Sequence, residues 1–255
     1  MKNFKNPHSN WDTIWSEVSF DLKKDQKRLE DLKFSIQWKK FRKSIGKRFG
    51  NLEGLKSIEI GAGMGDFSIL LAEEGANVTL LDNSKPALEA AKKRFREHKL
   101  EVTTVEANVF ELPKSLLNKF DISFSLGLCE HFEGRDRTEV FRVHGKVLKP
   151  GGITLISVPN KFCLPYRYWA YRFKKSGNWP YGLEVPFSRK ELFLIGKKIG
   201  LRKPEIKGGS LIGSVNDYLL SGRIKRLLGK SEFGLFLDDY LGYALILVGE
   251  KDLNV

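Results

Sequence analysis

The chain of 255 residues is short of cysteine, of acidic residues and of long apolar runs. Its two cysteines, Cys129 and Cys163, make no metal-ligand spacing and are too few for a disulfide framework, so neither a metal site nor a cross-linked scaffold is expected. No apolar run reaches the roughly 18–20 residues that span a bilayer. No apolar stretch follows Met1-Lys2-Asn3-Phe4-Lys5-Asn6-Pro7, so no signal peptide is expected, and a cytoplasmic location is the default. Acids number 31 against 44 Lys and Arg, a formal charge of +13. That surplus leaves a polyanionic partner open, either RNA or an anionic membrane surface. The bases are spread along the whole chain, however, which favours a generally solvated surface over a nucleic-acid site.

What the chain does have is a glycine-rich turn between apolar segments. Ser57-Ile58-Glu59-Ile60 reads as a strand, Gly61-Ala62-Gly63-Met64-Gly65 as a tight turn, and Asp66-Phe67 as the start of a helix. Leu80-Leu81-Asp82 then ends a second strand in a carboxylate. Glycines let the backbone press on a ligand where a Cβ would collide with it. An acid at the tip of the next strand can accept both hydroxyls of a ribose. The pattern is that of a nucleotide-type cofactor site at the carboxyl ends of parallel strands. A dinucleotide fingerprint would need Gly or Ala at position 66, where this chain has Asp66. A carboxylate there suits the helix dipole but repels a pyrophosphate, so a cofactor without phosphate is expected and a nicotinamide one is not. Glu59 is placed to attract a cationic group.

These residues resemble the class I S-adenosylmethionine-dependent methyltransferases, of the metabolite or quinone type. Glu59, Gly61, Ala62, Gly63 and Gly65 match their first motif, and Asp82, with Asn83 beside it, matches the ribose-binding acid. Asn108-Val109 matches the adenine-edge motif; the family usually has Asp at 108, and the Asn108 carbonyl can still accept a bond from an adenine amino group. Phe120–Leu128 matches the fourth strand, with Leu126 near its end, and Cys129-Glu130-His131-Phe132 follows. Lys149-Pro150-Gly151-Gly152 matches the turn before the fifth. The likeness is firm over residues 50–160. It implies S-adenosylmethionine as cofactor and S-adenosylhomocysteine as product, on a Rossmann-like, doubly wound α/β sheet. That sheet has seven strands, mostly parallel with an antiparallel last strand.

Along the chain, residues 1–50 read as a helical N-terminal cap and 51–255 as the methyltransferase domain. Trp11, Ile14, Trp15 and Val18 form one apolar stripe, and Leu29, Leu32, Phe34, Ile36, Trp38, Phe41 and Ile45 another. Strands are expected near 56–60, 77–81, 101–105, 120–126, 152–158, 202–208 and 243–250. Helices are expected near 65–74, 85–97 and 135–148, the second capped by Asn83-Ser84 with Pro86 in its first turn. Segments 160–187 and 209–240 exceed what the sheet needs and should stand over the substrate as a lid. Leu219, Leu220, Ile224, Leu227 and Leu228 fall at helical spacing in the second.

His131 is the candidate general base, since an imidazole titrates near neutrality and the loop after the fourth strand faces the substrate. Glu130 would orient His131 or bond its own neighbourhood. His144, among apolar neighbours, reads as a core residue, and Cys129 as a small apolar filler. Trp15, Tyr166, Trp169 and Tyr181 are candidate substrate contacts. The run from Phe162 to Lys175, dense in aromatics and bases, suits a pocket for an apolar or aromatic acceptor, a membrane interface, or base stacking. The function expected is methyl transfer to a small-molecule acceptor; an RNA or protein methyltransferase using the basic surface is the alternative. A non-catalytic module that keeps the cofactor pocket is a third reading. The oligomeric state is open.

Overall fold

The computed structural model describes residues 8–16, 20–219 and 235–253. Seven strands form one sheet: β1 (Lys56–Ile60), β2 (Asn77–Asp82), β3 (Thr103–Glu106), β4 (Phe120–Leu126), β5 (Leu148–Pro159), β6 (Arg202–Gly208) and β7 (Ala244–Glu250). Their order is β3-β2-β1-β4-β5-β7-β6. β1 to β5 pair in parallel, and β7 inserts antiparallel to both β5 and β6. The seven-stranded sheet with an antiparallel last strand is therefore as expected.

Helices cover both faces, because β-α-β crossovers carry each helix over the sheet. On one face lie α3 (Ile36–Phe49), α4 (Asp66–Glu73) and α5 (Lys85–Glu97), packed through Phe41, Ile45, Phe67, Leu70 and Phe95. On the other lie α6 (Asp136–Val147) and α8 (Arg189–Lys198), packed through Val140, Phe141, Leu192 and Ile195. The strands alternate accordingly. Ile58 and Ile60 of β1 join a cluster with Val143 and Val147 of α6, while Glu59 between them turns towards α4. The helix starts follow local chemistry. Ser84 caps α5 by accepting from the Ala87 N–H, and Ser188 and Glu191 close a capping box on α8.

The N-terminal segment forms α1 (His8–Ser16), α2 (Leu22–Phe34) and α3. One departure from the expected stripe is Phe34, which is 67% exposed. Ser35 ends α2 and caps α3 through the Trp38 N–H, so the apolar phase restarts at Ile36 and leaves Phe34 outside. Val18 and the Leu220–Leu228 part of the later stripe lie outside the described residues. His144 is fully buried, its Nδ1 3.0 Å from the Val140 carbonyl, and burial pushes it down to about 4, which keeps it neutral.

A buried ion network fastens this segment to the sheet. Arg94 of α5 has a fully buried side chain. Its Nε donates to Asp25 of α2 at 2.8 Å, and its Nη1 donates to Asp66 at 2.6 Å and to the Met64 carbonyl at 2.8 Å. Arg28 of α2 donates to both carboxylates, and the His98 ring lies 2.9 Å from Asp25. One cation thus holds the cap, the glycine turn and the start of α4 together.

Asp25→Ala leaves Arg94 buried without its partner, so unfolding free energy by urea titration should fall by about 3 kcal/mol. Burial acts to raise the Asp25 carboxyl, but the guanidinium groups of Arg94 and Arg28 hold it below the ordinary carboxylate value. The loss should therefore be full at neutral pH and shrink as pH falls below about 4. Disrupting the exposed pair Lys92–Glu89 by Lys92→Ala should leave the midpoint unchanged.

Candidate active site

A cavity of about 910 Å³ opens at the carboxyl ends of β1, β2 and β4. Its floor is the glycine turn. Gly61, Gly63 and Gly65 all have positive φ (65°, 51° and 68°), which a side chain would strain. A Cβ on Gly63 would stand 2.7 Å from the ring of Trp15, so the α1 indole lies directly on the turn.

The carboxylate of Asp82 braces that turn from β2. Its two oxygens accept from the Gly63 N–H at 2.8 Å and the Ser84 N–H at 2.9 Å. Burial pushes Asp82 up against the pull of those N–H groups. Asn83, Val109, Ala62 and Leu126 line the same cavity. Asn108 does too, but its side-chain carbonyl already accepts from the Phe110 N–H at 2.9 Å, leaving one lone pair for a ligand.

Glu59 lines the base of the cavity and is only 2% exposed. Burial pushes its carboxyl up to about 8, although Ser68 Oγ donates to it at 2.6 Å. At neutral pH it is mostly protonated, and a cation brought beside it would restore its charge. Asp66 differs from the expectation. Burial acts to raise it, yet hydrogen bonds from Arg28 and the charge of Arg94 hold it below the ordinary range. Its charge is offset by two guanidinium groups, so repulsion of a pyrophosphate by Asp66 is weaker than the bare sequence implies.

His131 sits in the short turn Cys129–His131 after β4 and lines the cavity. Its Nδ1 lies 2.6 Å from the Leu183 carbonyl, and burial lowers its pKa, which keeps the ring neutral. Trp11 packs edge-on against it, with ring centroids 5.1 Å apart.

The cavity therefore gathers Glu59, Gly61, Ala62, Gly63, Gly65, Asp82, Asn83, Asn108, Val109, Leu126, His131 and Trp15. It does not gather Tyr166, Trp169 or Tyr181. Tyr166 is 3% exposed and packs with Trp169 in a separate cluster on α7 (Leu164–Lys175). The helix turns that face onto the domain rather than over the cavity. Tyr181 stacks on Trp11, 6.3 Å away, beside the cavity rather than in its wall. Sequence reasoning missed Trp11, Phe20, Phe110, Phe132 and Arg28 as wall residues. Trp11 lies one turn from Trp15 on the same stripe, which was the available signal; nothing local marked the others.

The fold is similar to that of class I methyltransferases, a class whose methyl donor is S-adenosylmethionine. The methyltransferase domain family model matches residues 58–152. The chain is 32% identical over 117 residues to the ubiquinone biosynthesis O-methyltransferase of Alkalilimnicola ehrlichii, covering 46% of this chain and 47% of that protein. The Escherichia coli protein of the same name matches at 32%, covering 46% and 48%. The chain thus spans about half the length of the curated relatives it matches. In structure it is similar to magnesium protoporphyrin IX methyltransferase from Synechocystis with bound S-adenosylhomocysteine. The TM-score is 0.58 at 17% identity, over 96% of this chain and 94% of that one. An S-adenosylmethionine-dependent methyltransferase from Archaeoglobus fulgidus gives 0.54 at 17% identity, over 83% and 94%.

Two measurements test this geometry. Asp82→Ala should weaken S-adenosylhomocysteine binding by about 10- to 100-fold in calorimetry, the scale of one or two charge-assisted hydrogen bonds. Glu59→Gln removes a carboxyl whose folded pKa exceeds its unfolded one, a mismatch whose cost grows as pH rises from about 4.5 to about 8. Melting curves should show the wild type losing stability relative to that variant across the window, by about 1 kcal/mol or more.

Proposed function

We propose that the protein transfers the methyl group of S-adenosylmethionine to a small-molecule acceptor with an apolar or aromatic body. The observation that carries this reading is the brace between Asp82 and the Gly63 N–H, beneath a cavity walled by Trp11, Trp15, Phe110 and Phe132. The turn leaves room where a Cβ would intrude, and the acid at the end of β2 offers oxygens to a diol. The buried Glu59 carboxyl offers a counter-charge to a cation. These features fit an adenosyl sulfonium, with the glycine turn, Asp82, Asn108 and Glu59 as its holders. When bound, that cofactor supplies an electrophilic methyl group.

The remaining work falls to the chain itself. Trp15 of α1 covers the turn, and Trp11 walls the cavity beside it. The cavity wall holds the acceptor in line at about 3–3.5 Å from its target, the distance at which positioning alone contributes several kcal/mol. Where the acceptor must lose a proton, neutral His131 takes it, oriented by the contact of its Nδ1 with the Leu183 carbonyl. The name of those relatives, ubiquinone biosynthesis O-methyltransferase, supports an acceptor with a ring and apolar bulk.

Calorimetry with S-adenosylmethionine, S-adenosylhomocysteine and NAD tests the reading directly. Binding of the first two alone is expected; binding of NAD alone, or of none, would overturn it. Once an acceptor is in hand, His131→Ala should lower kcat by at least about tenfold, the low end of general-base catalysis, with cofactor affinity unchanged within about threefold. Full turnover in that variant would remove the base assignment.

A further inference from the structure

Beside the cavity lies a second group of side chains that methyl transfer as described does not use. Tyr166 stands 5.0 Å from Tyr243 and 5.6 Å from Tyr218, centroid to centroid. Trp169 stands 5.3 Å from Tyr218 and 5.6 Å from Trp179. Two carboxyl groups face this aromatic group. The Tyr166 hydroxyl donates to Glu184. Glu130 is 3% exposed, its Oε2 has no hydrogen-bond partner, and its carboxyl interacts electrostatically with Glu184 and Tyr243.

Among the described residues neither carboxyl has an ion pair. Arg137, the base whose charge reaches Glu130, is committed elsewhere. It donates to Glu191 at 2.8 Å and to the Val185 carbonyl at 3.0 Å, and lies over the Phe187 ring. Lys174 Nζ lies 4.7 Å over the Trp179 ring but pairs with neither acid. A buried and a half-buried carboxyl without an ion pair are costly, and burial answers by pushing Glu130 up to about 8 and Glu184 to about 7. An organic cation relieves the arrangement twice, as counter-charge to the acids and through cation–π attraction to the rings. A metal ion does not suit it, since no trio of His, Cys, Asp or Glu gathers among the described residues.

The group borders the cavity without sharing its wall. Trp179 lies 5.3 Å from Tyr181, which stacks on the cavity residue Trp11. Glu130 Oε1 lies under Gly127, another cavity residue, 3.4 Å from where its Cβ would be. A ligand leaving the cavity past Trp11 and Tyr181 would meet this aromatic wall next.

We propose that the acceptor carries an ammonium or quaternary ammonium group, held by Glu184 and Glu130 against the wall of Tyr166, Trp169, Trp179 and Tyr218. This deepens the methyltransferase reading and rests on it for the role of acceptor; the cation site itself rests on the residues just described.

The test is calorimetry at pH 8.5 on the full chain, with and without S-adenosylhomocysteine. Benzyltrimethylammonium is the probe and benzyl alcohol its uncharged control. The cation is expected to bind at least about tenfold more tightly than the alcohol, and Glu184→Gln and Glu130→Gln each to lower its affinity about tenfold, one unpaired charge interaction being of that size. S-adenosylhomocysteine affinity should stay unchanged in both variants. The probe has no proton to lose, so its affinity should rise from pH 6 to pH 9 as the two carboxyls ionise. Of the groups facing them, burial drives Tyr218, Tyr243 and the Cys129 thiol upward and His131 downward, away from that window. Equal affinity for both probes, no binding of the cation, or unchanged affinity in both folded variants would overturn the proposal. Failure of S-adenosylhomocysteine to bind would overturn the methyltransferase reading instead, and the titration without it would still decide the cation site.

Discussion

Arg94 is the side chain on which the arrangement of the molecule turns. It is a guanidinium with a fully buried side chain, stable only because Asp25, Asp66 and the Met64 carbonyl converge on it. Those three groups come from the N-terminal cap, the start of α4 and the glycine turn. A cation in that position cannot keep half of its partners, because an unpaired buried charge costs more than the pair contributes. The cap therefore either docks with its acids in place or does not dock. With α2 docked, Arg28 reaches Asp66 and joins the cavity wall, and Trp11 and Trp15 of α1 also line the cavity.

The same physics, burial of polar groups, sets the chemistry of the site. Asp82 is buried but answered by backbone N–H groups, so it serves as a brace. Glu59 is buried with one hydroxyl for company and is pushed up to about 8, which makes it a latent charge awaiting a cation. Asp66, at the head of a helix and between two guanidinium groups, is pulled the other way. Three acids within one cavity wall thus differ through their partners rather than their type. Glu184, outside that wall, has one hydroxyl partner as Glu59 does, and Glu130 Oε2 has none.

Much of this was legible in the chain. The order of apolar runs, glycines and acids from Ser57 to Gly152 specified the parallel half of the sheet, because each β-α unit carries its own turn and cap signals. The late strands near 202–208 and 243–250 were placed more loosely, the second on its run of apolar residues from 244 to 248. Less legible was anything that depends on two distant segments meeting. Phe34 read as core because periodicity ignores the break that Ser35 makes. Tyr166 and Trp169 stand outside the cavity because packing sets which way α7 faces, and aromatic density does not record that. Asp66 read as a free negative charge because its neutralising partners lie 38 and 28 residues away.

By itself the sequence determined the fold class, the place of the cofactor-type turn and the identity of the acid beneath it. Those are set by short-range steric and hydrogen-bonding rules that a window of ten or fifteen residues contains. Only the tertiary structure decided which indoles cover the turn, which carboxyls are paired and which are stranded, and which aromatics wall the cavity. Those outcomes depend on burial and on charges brought together from far apart in the chain, and neither quantity exists until the chain has packed.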